Sequence, residues 1–163
     1  MPCPDELDVD SYWKVVRRTF QDTPENSESA IEAMFRVFEA LNLRLMHFDD
    51  RDLDKRLAKI EVSRLPGTRE WNLVLTCYKP QMNQNCVFTA TSDSFAKAML
   101  QVFDAVVSDF QADFEDRTKE ADGTERKLLS ERKSIQKITE MKRMLGTYIP
   151  EQLGLFKNNK PVE

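Results

Sequence analysis

The spacing of apolar and polar positions changes period along the chain, and those changes predict its elements. Tyr12, Trp13, Val16 and Phe20 recur at helical intervals, so a short amphipathic helix is expected over about 9–20, with Asp10 or Ser11 near its start. The polar stretch 21–29, with Pro24 and several cap formers, predicts a linker. Ile31, Met34, Phe35, Phe38, Leu41 and Leu45 then follow the repeat of a core-facing stripe and predict a helix over 28–46. The acidic cluster 49–54 predicts an exposed loop.

Beyond it the period shortens to two. Ala58, Ile60 and Val62 alternate with Lys59, Glu61 and Ser63, the mark of a half-buried strand within 57–65. Pro66-Gly67 signals a turn. Trp71, Leu73, Leu75 and Cys77 alternate with Asn72, Val74, Thr76 and Tyr78, giving a second strand over 70–78 and hence a hairpin. A loop over 79–85 and a short third strand over 86–90 follow. Thr91, Ser92 or Asp93 is expected to cap a helix over 92–116, with a stripe of Phe95, Met99, Phe103, Val106, Phe110 and Phe114.

The block 115–127 lacks any large apolar residue, and Asp122-Gly123 within it is a natural reversal point. A last helix is expected over about 124–145, carrying Leu128, Ile135, Ile138, Met141 and Leu145, with Gly146 as its stop. These elements define an α+β fold. A three-stranded antiparallel sheet is packed by helices on one face, with an N-terminal helix and a C-terminal helical extension. The expected divisions are a lead with a short helix (1–26), the α-β-β-β-α domain (27–116), a basic helical extension (117–148) and a flexible tail (149–163).

Charge alters this picture at one place. Residues 104–122 hold seven acids against Arg117 and Lys119, a balance of −5. Residues 124–145 hold seven bases against Glu125, Glu131 and Glu140, a balance of +4. Either the two segments fold back and neutralise each other, or the basic helix is offered to an acidic partner. On that helix Arg126, Lys133 and Lys137, flanked by Arg132, are placed opposite Ile135 and Ile138; with Lys127 and Arg143 they form the candidate partner-binding set. The apolar stripes leave two further alternatives, an intramolecular hairpin or a homodimer formed by exchange.

Composition narrows the chemistry. The 163 residues are 40% hydrophobic, enough to build a core, and the net charge of −4 argues against general nucleic-acid binding. His47 is the only histidine, which excludes any site needing two. Three cysteines without zinc spacing suggest a reducing, cytoplasmic setting, with Cys77 and Cys86 as small buried residues on neighbouring strands. Four glycines form no phosphate-binding loop. The carboxylate pairs Asp49/Asp50 and Asp113/Asp116 lack calcium-loop spacing. No cofactor, metal or membrane span is expected, and no enzyme activity.

The α-β-β-β-α order of 28–114 resembles the double-stranded RNA-binding domain, which lays two helices on one face of a three-stranded antiparallel sheet. The likeness includes the Pro66-Gly67 turn, Trp71 opening the second strand and Ala96-Lys97-Ala98 in the closing helix. RNA-binding members hold phosphates with lysines at the start of that helix. Here the corresponding residues are Thr91-Ser92-Asp93-Ser94-Phe95 with only Lys97 following, and an aspartate repels phosphate. The resemblance therefore implies a version that binds proteins. The expected function is that of a small non-enzymatic regulator or adaptor binding a protein partner through its C-terminal helices. The alternative is nucleic-acid binding by the basic helix or the duplex-RNA-like module.

Overall fold

The computed structural model describes residues 9–46, 56–79, 83–119, 135–154, 156–157 and 160–161. Helix α1 spans Val9–Gln21 and α2 spans Ser27–Met46. Trp13, Val16 and Phe20 face inward from α1, as their spacing requires. Asn26 starts α2: its side-chain oxygen accepts the Ser29 backbone N–H at 2.8 Å, satisfying a donor that the first turn leaves unpaired. The buried stripe of α2 is Ala30, Met34, Val37, Phe38 and Leu41. Ile31 and Phe35, expected in that stripe, lie on its margin at 37% and 41% exposure.

Strands β1 (Arg56–Arg64), β2 (Trp71–Lys79) and β3 (Gln84–Ser92) form an antiparallel meander in the order β1-β2-β3. Along β2, Trp71, Leu73, Leu75, Cys77 and Lys79 are buried while the residues between them are half-exposed. A bulge interrupts β1 between Leu57 and Lys59. The extra residue changes the phase of the alternation, so Leu57, Ile60 and Val62 turn inward and Ala58 is exposed, contrary to its expected place beside Ile60. Gly67, at φ +76°, makes the β1–β2 turn. At this end Arg64 stacks on Trp71, its guanidinium carbon 4.3 Å from the ring centroid, and Trp71 meets Phe95 edge-on at 5.2 Å.

Helix α3 runs Phe95–Lys119. Ser94 caps it, accepting the Lys97 N–H at 3.3 Å, one residue beyond the expected caps because β3 runs on to Ser92. Phe95, Met99, Phe103, Val106, Phe110 and Phe114 are all buried. Burying one such side chain contributes roughly 1.5–3 kcal/mol, so this stripe makes α3 a principal anchor of the core. It packs against β2 and β3, and α2 packs against β1. The fold is therefore the expected α+β arrangement, a three-stranded antiparallel sheet with helices on one face.

A fourth helix, α4, is described from residue 135. It does not stop at Gly146: a π-helical turn, Met144–Tyr148, carries it on into Ile149–Gln152. The wider turn keeps Met144, Leu145 and Ile149 buried beside Ile138 and Met141. Ile149 and Pro150 thus belong to the core, although a tail was expected to begin there.

Candidate interaction surfaces

The basic set is divided by the structure. Arg126, Lys127, Arg132 and Lys133 lie outside the described residues, as do Asp122-Gly123 and the Asp49–Asp54 acidic cluster with His47. Arg143 is exposed. Lys137 is 3% exposed and sits on the same inward side as Ile138 and Met141, whereas Ile135 is 51% exposed. The expected arrangement, lysine outward and both isoleucines inward, is thus corrected. The stripe follows residues 138, 141, 145 and 149, which turns Ile135 away from the body.

Lys142 lies against α3, its ammonium 3.1 Å from Asp104 and 2.8 Å from Ser108. Of the two fates for the charge reversal, residues 135–145 follow the first: they dock on the acidic helix within the same chain. Helix α1 closes over the other side, where Trp13 Nε1 donates to Glu140 at 3.0 Å and Arg17 donates to the Tyr148 hydroxyl at 3.4 Å.

A second ion cluster was not foreseen. The Lys79 ammonium contacts Asp109 and Asp113, each at 2.9 Å, from the inward side of the sheet. Burial acts to lower the lysine's pKa, but the hydrogen bonds and charges of Asp109 and Asp113 outweigh it and hold the ammonium well above its ordinary value. Lys79 was expected to open a loop. Its parity with residues 71, 73, 75 and 77 was the available signal, since a fifth inward position needs an internal partner if it is charged. Asp113 is accordingly committed to an ion pair, while the Asp116 side chain lies outside the described residues.

Two surfaces remain uncovered by any described element. The first is the outer face of the sheet. Lys59, Glu61 and Ser63 of β1 lie beside Thr76, Val74 and Asn72 of β2, which in turn lie beside Val87, Thr89 and Thr91 of β3. Tyr78 extends this face and donates its hydroxyl to Asn83 at 2.6 Å. Lys59 and Glu61 on it pair at 2.9 Å, Arg56 stands opposite Tyr78 in the register, and the rest is largely uncharged and β-branched, with Val87 60% exposed.

The second surface is a groove between α2 and the free side of β1, lined by Glu28, Ile31, Glu32 and Phe35 above and by Leu57–Ile60 below. Neither surface supplies a catalytic constellation. Cys77 and Cys86 stand opposite each other across β2 and β3, Cys77 buried and Cys86 half-buried. Among the described residues, no three metal-ligating side chains cluster and no helix is long and apolar enough to cross a membrane. No protein-family model matches the chain, and no curated protein or solved structure shows significant similarity to it.

Proposed function

We propose that this chain is a non-enzymatic interaction protein that binds a protein partner across the outer face of its sheet. The observation carrying the reading is that this whole face lacks a covering element among the described residues while its Lys59 and Glu61 pair with each other. A neutral surface of Thr, Val, Asn and Tyr suits a protein, where shape and side-chain hydrogen bonds give the fit. It suits nucleic acid poorly, because phosphate binding needs several cations and stacking needs several aromatic rings; this face offers Lys59, already paired with Glu61, Arg56 in register at its end, and one ring, Tyr78. The C-terminal helix contributes less than its sequence suggested, since Lys142 is paired and Lys137 is buried.

The test is site-specific photo-crosslinking in native extract from position 74 or 87, with and without nuclease. A protein adduct that survives nuclease and disappears in the Thr76→Lys variant is expected. Adducts abolished by nuclease, or unchanged by Thr76→Lys, would refute the reading.

A further inference from the structure

Cys77 and Cys86 are direct cross-strand partners in the β2–β3 ladder. Cys77 belongs to the inward set of β2 with Leu73, Leu75 and Lys79, so Cys86 stands on the same side of the sheet. Directly opposed residues of an antiparallel pair have Cα atoms about 4.5–5.5 Å apart, inside the roughly 4.4–6.8 Å window that a disulfide spans. Their Cβ atoms need to close by only about 1 Å to reach bonding geometry. The ladder ends two pairs further on, at Lys79 and Gln84, so this small approach falls near the end of a hairpin.

The two sulfurs differ in what can reach them. Cys77 is 0% exposed on the central strand. Cys86 is half-buried on β3, which is bonded to β2 on one side and to no described strand on the other. A small solute can approach an edge strand from the side, even on its inward face. Cys86 is therefore the sulfur that a small oxidant meets first, and Cys77 is the sheltered sulfur held opposite it. An accessible thiol beside a second one is the arrangement of a sensing cysteine and its resolving partner.

We infer that Cys77 and Cys86 form a reversible dithiol–disulfide couple, closed by hydrogen peroxide and reopened by an external dithiol. Cys86 Sγ attacks one peroxide oxygen: an S–O bond forms, the O–O bond breaks, and the departing hydroxide leaves as water with the Cys86 thiol proton. Cys77 Sγ then attacks the sulfur of this sulfenic acid. The S–S bond forms, the S–O bond breaks, and a second water carries away the Cys77 proton. The sulfur pair loses two electrons and the peroxide gains them. The bridge closes a loop of about ten residues and clamps edge strand β3 to β2, between the outer-face pairs Thr76–Val87 and Tyr78–Asn85.

The test treats the folded full chain with a small molar excess of hydrogen peroxide, then unfolds it in N-ethylmaleimide to block remaining thiols. Trypsin and mass spectrometry follow. Because Lys79 precedes Pro80, residues 70–97 stay in one tryptic peptide. The bridge should appear there as the loss of two hydrogens and of both maleimide adducts, reversed by dithiothreitol. The oxidised chain should melt roughly 5–10 °C higher. Cys77→Ala should leave Cys86 as a sulfenic acid that dimedone traps, whereas Cys86→Ala should leave Cys77 unoxidised, with circular dichroism confirming each fold. Maleimide on both cysteines after peroxide overturns the inference. So does a bridge to Cys3 or to another chain in place of this pair, Cys86 driven to sulfinic acid beside an alkylated Cys77, or an unchanged or lowered Tm.

Discussion

Replacing Lys79 with methionine tests the most deeply placed charge cluster of the fold. The lysine side chain is 9% exposed and its partners Asp109 and Asp113 are 22% and 12% exposed. Taking away one member of a buried ion cluster costs about 3–5 kcal/mol, because the remaining charge stays buried without compensation. Here two carboxylates one helical turn apart would be left facing each other. Their residual contact with water places the expected loss near the lower end, about 3 kcal/mol. For a chain of this size that corresponds to a fall in Tm of roughly 6–12 °C. Urea denaturation followed by circular dichroism measures it directly.

A triple variant, Lys79→Met with Asp109→Asn and Asp113→Asn, removes the stranded charges as well and should recover much of the loss. The lysine's folded pKa is raised, so its contribution is fully present below the unfolded value and is lost as pH rises through the folded one. The gap between wild type and Lys79→Met should therefore hold steady from neutral to mildly alkaline pH and narrow only in strong alkali. A single-variant loss below about 1 kcal/mol, the range of exposed pairs, would refute the reasoning. A triple variant no more stable than the single one would do the same.

The C-terminal helix offers contrasting tests. Met141→Ala, at a fully buried position, should cost about 2–5 kcal/mol in denaturant midpoint experiments, as befits a core residue rather than an appendage. Lys142→Ala breaks contacts with Asp104 and Ser108 that remain partly exposed, so a loss of only ~0.2–1 kcal/mol is expected by the same measurement. Gly67→Ala meets no atom within 4 Å, so its cost reflects the left-handed backbone alone, roughly 1–2 kcal/mol in thermal unfolding.

Much of this architecture is legible in the sequence because alternation and helical spacing respond to the same burial that shapes the fold. The stripe of α3 and the inward set of β2 are examples, since each element is straight and packed along its whole length. Legibility fails where a third element intervenes. The bulge at Ala58 breaks the parity of β1 by one residue, which a run of alternating letters does not reveal. Ile31 and Phe35 read as core because spacing reports a helical face, not whether anything covers that face. The basic helix misled for a related reason. Lys137 looks like a solvent-facing charge until the positions of Met141 and Ile149 fix the rotation of α4. The outer sheet face was present as alternate residues of three strands, but nothing in the letters says that no described helix crosses it.

The hydrogen bond from Trp13 to Glu140 joins residues near opposite ends of the described chain. Its consequence concerns the order in which a ribosome delivers the molecule. α1 is the first described helix to emerge, with Trp13, Val16 and Phe20 on one side, and part of what covers that side is α4, made more than a hundred residues later. The nascent chain must carry an unfinished apolar seam until the residues around Glu140 have emerged. Vectorial synthesis thus leaves the core open at α1 until α4 has been made.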